Sequence, residues 1–247
     1  MPKLLSTAYF PPVSYFAAMA QEMGGLVLRC TAETGRNSDF IEVRSAAAPE
    51  LTPATVYIEA CENFQKQSYR NRCYFYGADG VQSLQVPILH EGGTHKQPIS
   101  EIKIDYSKPW LLQHKRAIIS AYRTSAYFEY YQDELFSILD SQPERLFDLN
   151  LALIRFFIEK TGLAVDLRIT GEYSREAEIC MNGETIPCDD LREAIHPKRQ
   201  NAILEDADLK KPYFQVFAQK HGFQSDLSIM DLLFNEGPES ILYLKSL

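Results

Sequence analysis

The sequence predicts an α+β fold, with a mixed or antiparallel sheet in the N-terminal half packed against a mainly helical C-terminal half. Three observations carry that expectation. Short runs rich in β-branched and aromatic residues cluster before residue 105. From Lys108 onward the apolar spacing turns helical. The chain has 247 residues, 45% of them apolar, enough to bury a core without disulfides or metals. Strands segregated from helices favour α+β over a doubly wound sheet. No internal repeat or long polar linker is visible, so the expected organisation is one domain over 1–247 in two lobes, strand-rich 1–106 and helix-rich 107–247.

The elements follow in order. Pro11 and Pro12 precede an apolar run from Val13, and Gly24 and Gly25 follow it, which marks a helix of about three turns. Leu26 to Cys30 and Thr55 to Cys61 read as strands. Arg72 to Tyr76 and Ser83 to Leu89 flank Gly77-Ala78-Asp79-Gly80, whose glycines and Asp suit a hairpin turn. Glu101 to Asp105 alternates with period two, as a half-buried strand does. Trp110, His114, Ile118 and Tyr122 recur every four residues and so share one helix stripe. Helices are expected over 127–140 and 143–160, the second opened by Pro143 and closed by Gly162. Val165 to Thr170 reads as a returning strand, Cys188 to Leu191 as the start of a short helix, and 197–201 as a polar connection. The last segments read as helical. Residues 201–240 hold seven acids and three bases, which suits a solvated acidic face or a partner-binding one.

Composition narrows function by exclusion. There are 25 basic and 33 acidic side chains, a net charge of −8, and general binding of nucleic acid needs the opposite sign. No apolar stretch is long enough to span a membrane. No signal-peptide pattern opens the chain, and the five cysteines form no C-x-x-C pair, so the cytoplasm and reduced thiols are expected. Phosphate-loop, dinucleotide-binding and nucleophile-elbow motifs are absent. His90-Glu91-Gly92-Gly93-Thr94-His95 spaces its histidines by five, which puts them about 140° apart on a helix rather than about 40°. It reads as a glycine-rich loop, and the sequence calls for no metal and no cofactor.

The densest polar segment is Glu62 to Arg72, which joins two predicted strands. Arginine presents a planar fork to phosphate or carboxylate and lysine a compact charge, so Lys66, Asn71 and Arg72 are candidates for holding an anionic small molecule. The same cations could equally be solvated or paired with their own carboxylates. His114 is the candidate proton carrier, since an imidazole near pKa 6.5 works in either direction at neutral pH. A His on a stripe with Trp110 and Ile118 also suits a hydrogen-bonded core position. Glu101 and Asp105 share a strand face and could orient cations. Tyr122, Tyr127, Phe128, Tyr130 and Tyr131 could form a stacking platform or simply core. Cys61 and Cys73 bracket the cationic loop and would be nucleophiles only as stabilised thiolates.

Four ordered blocks carry a family resemblance. Tyr9-Phe10-Pro11-Pro12-Val13-Ser14-Tyr15-Phe16 is similar to a Y-x-P-x-x-G-Y-F opening. Asn63, Lys66 and Tyr69-Arg70-Asn71-Arg72 match V-Q-x-x-K-x-x-W-R-N-R, and Leu84 to Ile88 matches L-T-V-P-V. Ile99, Glu101, Ile102, Ile104, Asp105, Trp110, His114, Ile118 and Tyr122 complete the order. The chain resembles the WbqC-like family, and its segment Phe223 to Leu244 resembles a branch common in Bacteroidetes. It departs from the pattern at Ser6-Thr7-Ala8, Ser14, Asn63 and Ala126. The resemblance implies surface-polysaccharide (O-antigen) assembly, with transfer of an acyl or aminoacyl group onto a phosphate-bearing sugar nucleotide. Tyr15, Asn63, Lys66, Asn71, Arg72 and Glu101 would then bind substrate and His114 would move the proton. A non-catalytic binding or assembly protein of the same pathway is the alternative.

Overall fold

The computed structural model describes residues 1–20, 53–89, 97–175, 177–181, 184–199 and 209–247. Its strands, in chain order, are β1 (Lys3–Ser6), β2 (Ala54–Glu59), β3 (Arg72–Gly77), β4 (Gly80–Gln85), β5 (Val165–Ile169), β6 (Glu178–Met181), β7 (Glu184–Pro187) and β8 (Asp189–Asp190). The helices are α1 (Val13–Ala20), α2 (Trp110–Tyr122), α3 (Phe128–Asp140), α4 (Leu146–Thr161), α5 (Ala218–His221), α6 (Ile229–Glu236) and α7 (Ser240–Lys245).

Helices and strands combine as expected, but the pairing is more specific than the sequence suggests. The central sheet runs in the order β5-β2-β1-β8 and is parallel throughout. Two of its four strands come from the C-terminal half, so the strands are not confined to the first lobe. Antiparallel pairing is confined to the β3–β4 and β6–β7 hairpins among the described strands. A parallel strand covered on both faces needs no polar alternation, and in β2 the last four residues, Val56 to Glu59, are all buried. Leu5, Val56 and Ile58 face the large core shared with the helices, while Leu4 and Tyr57 point the other way, onto Ile179 and Cys188. The side-chain alternation of a strand thus places one sheet face on helices and the other on the β6–β7 hairpin.

The helical expectations hold closely. The stripe Trp110, His114, Ile118 and Tyr122 is buried along α2. Helix α4 buries eleven of its sixteen residues and stops at Gly162, whose φ of 72° is the left-handed turn that glycine adopts without a Cβ clash. One core cluster runs from Leu5 to Leu244 and draws on both halves of the chain. Two expectations fail locally. Cys188 to Leu191 starts no helix, because Asp189 and Asp190 pair with Lys3 and Leu4 as the edge of the sheet. Glu101 to Asp105 forms no ladder strand. A 3-10 turn occupies Ile99–Glu101, and only single bridges follow, Lys103 to Arg145 and Ile104 to Ile88. Ile102 and Ile104 are buried all the same, so the alternation correctly identified the core face. The strand expected at Leu26 to Cys30 and the histidine-containing loop at 90–95 lie outside the described residues. Among the described residues no helix is long and apolar enough to cross a membrane.

Candidate functional site

The segment between β2 and β3 is pinned by its own backbone. Three consecutive carbonyls, of Tyr69, Arg70 and Asn71, accept from Tyr9 N at 2.8 Å, Asn150 Nδ2 at 2.8 Å and Val86 N at 2.9 Å. Asn150 is wholly buried in α4, where its Nδ2 has this partner while its Oδ1 has none among the described residues. Arg70 points inward. Its Nε donates to Glu62 Oε1 at 2.9 Å and its Nη2 to Ser6 Oγ at 2.9 Å, with a second ion-pair contact to Glu62 Oε2. Burial pushes the Glu62 carboxyl up, against the pull of the Arg70 guanidinium. Arg70 therefore serves the fold, and its charge is answered internally.

The other cations of the segment face outward into a groove of about 390 Å³. Lys66, Arg72 and Lys108 line it together with Asn71 and Gln85, and no carboxylate is among its lining residues. Arg72 and Gln85 are register partners of the β3–β4 hairpin, and Arg72 Nη2 donates to Gln85 Oε1 at 2.7 Å. Arg72 Nε is buried without a hydrogen-bond partner. Lys66 makes no ion pair with any described residue, and Lys108 makes only a long one, 3.8 Å to Asp105. Asn71 spends its amide on the Val86 carbonyl at 3.0 Å, which fixes the groove wall.

A second concavity of about 690 Å³ adjoins it, with Phe64 and Lys66 lining both. It opens at the carboxyl ends of the parallel strands, where ligands commonly bind in open sheets. Cys61 and Glu62 follow β2, Tyr173 follows β5, and Arg192 follows β8. Arg192 is the hub. It grips both oxygens of Asp190 at 2.9 and 2.6 Å, the Ser174 carbonyl at 2.8 Å and the fully buried Glu59 at 3.2 Å. Its guanidinium lies 5.2 Å from the centre of the Tyr173 ring. Burial opposes its charge, but the paired Asp190 outweighs that and raises its pKa. Glu193 accepts from Gln65 Nε2 at 2.8 Å and pairs with Arg199. His196 is also on this wall. Its Nδ1 accepts from Lys198 N at 3.1 Å, and burial followed by the Arg199 charge lowers its pKa.

The predicted site residues thus divide. Lys66, Asn71 and Arg72 share the groove, and Asn63 lines the larger cavity. Tyr15 is 2% exposed, with its hydroxyl on the Ser6 carbonyl at 2.9 Å; it borders only a small interior void. Glu101 is exposed and lines neither concavity. His114 lines neither as well. It is 5% exposed, with Nδ1 at 2.9 Å from the Tyr9 hydroxyl and a further hydrogen bond to the Gln85 backbone. Desolvation lowers its pKa to about 4, so it stands as a neutral core imidazole packed at 4.9 Å against Trp110. The aromatic platform divides: Tyr122 and Phe128 are core and pack on Phe234, Tyr127 and Tyr131 are half-buried, and Tyr130 is exposed. Burial raises both the Cys61 and Cys73 thiols, the reverse of what a thiolate nucleophile needs. Sequence reasoning missed Lys108, Tyr173, Arg192, Glu193, His196 and Arg199, which are distant in sequence from the loop they meet; Glu193 lies 128 positions from its partner Gln65. The one available signal was the cluster of cations and His between Arg192 and Arg199. Among the described residues no three His, Cys, Asp or Glu side chains converge as metal ligands do.

Comparison with known proteins agrees with the motif pattern. Residues 54–243 match the WbqC-like protein family. The chain is 27% identical over 199 residues to "Uncharacterized protein Rv1507c" of Mycobacterium tuberculosis (strain ATCC 25618 / H37Rv), covering 74% of this chain and 84% of that protein. No solved structure gives a significant match. With most of its length matched by that model, the chain belongs to the WbqC-like protein family.

Proposed function

We propose that this protein binds a phosphate-bearing small molecule of the sugar-nucleotide class, as a component of surface-polysaccharide assembly. The observation that carries the reading is the groove of Lys66, Arg72 and Lys108, three cations with no lining carboxylate in a protein of net charge −8. Cations gathered on a wall that holds no carboxylate among its described residues favour an anion from solution. Calorimetric titration with inorganic pyrophosphate and with a sugar nucleotide tests it. Arg72→Glu should weaken both by about ten- to a hundredfold, the scale of one charge-assisted hydrogen bond of about 1.5–3 kcal/mol. Binding should also weaken as salt rises. Affinity indifferent to both changes would remove the reading.

Group transfer onto that ligand, acyl or aminoacyl in type, is the second reading. His196 favours it: a neutral imidazole on the adjoining wall, with Nδ1 occupied, presents an Nε2–H donor to a developing oxyanion. Turnover assays with acyl donors decide between a transferase and a binding or assembly protein. Ligand binding without turnover, unchanged in His196→Ala, favours the latter.

A further inference from the structure

Charge pairing separates the two concavities. The groove has cations and no carboxylate among its described lining residues, whereas every carboxylate lining the larger cavity is tied to a guanidinium. Glu62 pairs with Arg70, Asp190 with Arg192, and Glu193 with Arg199. Groups held this way keep spare acceptor lone pairs and N–H donors while their fields largely cancel. A lining of that kind suits a neutral guest rich in hydroxyls, which both donate and accept. Asn63 adds an exposed amide that does the same.

One wall is aromatic. Tyr173 is 55% exposed, yet its ring is not loose, because the Arg192 guanidinium lies against it and Arg192 is itself locked by four acceptors. A fixed flat ring beside paired polar groups matches the two kinds of surface a sugar offers, a C–H face and a hydroxyl edge. Phe64 and Lys66 belong to both concavities, so a ring in one can carry a phosphate into the other.

We propose that the larger cavity is a carbohydrate subsite: a glycosyl ring lies on Tyr173, hydrogen-bonds with Asn63 and Glu193, and extends its phosphate past Lys66 into the cationic groove. This rests on the phosphate-binding reading of the groove.

The test uses the full chain and five probes in calorimetric titrations: inorganic phosphate, inorganic pyrophosphate, glucose 1-phosphate, uridine diphosphate and uridine diphosphate glucose. The wild type should bind uridine diphosphate glucose about tenfold tighter than uridine diphosphate, and glucose 1-phosphate tighter than inorganic phosphate by a similar factor. Tyr173→Ala and Asn63→Ala both alter exposed side chains, and each should lose most of the glucose-dependent gain. Their pyrophosphate affinity should stay within about twofold and their melting temperatures should hold. The proposal is overturned if glucose adds no affinity, if the gain survives both substitutions, or if uridine diphosphate alone carries the Tyr173 dependence, which would make the occupant a nucleoside. Failure of the groove reading looks different: pyrophosphate then fails to bind, or binds equally well to Arg72→Glu. Pyrophosphate binding that Arg72→Glu weakens, without any glucose gain, removes only the subsite.

Discussion

Arg70→Met isolates the internal ion pair from the ligand-facing cations. Arg70 is 3% exposed and Glu62 6%. The substitution deletes two contacts to Glu62, one to Ser6 Oγ at 2.9 Å and one to Gln65 Oε1 at 3.2 Å. It leaves a buried carboxylate whose one remaining side-chain donor is Ser6 Oγ at 3.0 Å. Removing one member of a buried pair costs about 3–5 kcal/mol, which for a chain of this length lowers the melting temperature by about 6–20 °C. Replacing both members is far milder, so Glu62→Gln combined with Arg70→Met should recover most of the loss. The pH dependence has a definite sign. The folded Glu62 carboxyl is raised by burial, and without the Arg70 charge it rises further. A raised acid favours the protonated folded state, so the variant gains stability as the pH falls and loses it as the pH rises through the folded pKa. Urea unfolding of the wild type and of the single and double variants at pH 5 and pH 7.5 measures each quantity. A loss below about 1 kcal/mol for Arg70→Met, or a double variant as unstable as the two singles summed, would refute the assignment of Arg70 to the fold.

Two further buried groups titrate with opposite effects. Asp231 is raised to about 6 by burial despite hydrogen bonds from Tyr213 and Gln215, both 2.7 Å, so its contribution falls as pH rises from about 4 through about 6. His114 is lowered to about 4 by burial, so its contribution is present at neutral pH and is lost as pH falls from about 6.5 toward about 4. The slopes oppose each other in the wild type. Asp231→Asn should therefore make stability rise more steeply with pH across that window, and His114→Leu should make it fall, both read as melting temperature against pH. Parallel curves for all three proteins would contradict the burial of these groups. The His114 C–H proton resonances should not titrate above about pH 5 in the native protein, checked by NMR, because the imidazole stays neutral there.

Local pattern made part of the fold legible before any coordinates. The four-residue stripe of α2, the Gly77 to Gly80 turn and the Gly162 stop of α4 are each encoded within a few neighbouring residues, and each is found where expected. The parallel sheet was harder to read because its signals are weak. Strand β1 has four residues and β8 two, and β2 is buried on both faces, so none shows a clean period. For the site, composition drew attention to the segment Glu62 to Arg72. It could not say that Arg70 turns inward while Lys66 and Arg72 turn out.

The sequence by itself determined where helices start and stop, which face of each is apolar, and where cations gather, because those properties depend on periods of two and 3.6 and on turn chemistry. Only the tertiary structure decided which charges cancel. Glu62 and Arg70 are eight residues apart, but Arg192 reaches Glu59 across 133 positions, and Lys108, beyond the β3–β4 hairpin in sequence, lines one groove with Arg72. Whether a cation is internally paired or open to a ligand is set by which groups stand within about 4 Å of it. That distance follows from the side-by-side pairing of β1, β2, β5 and β8 and from the placing of the β3–β4 hairpin, and no local pattern in the sequence contains it.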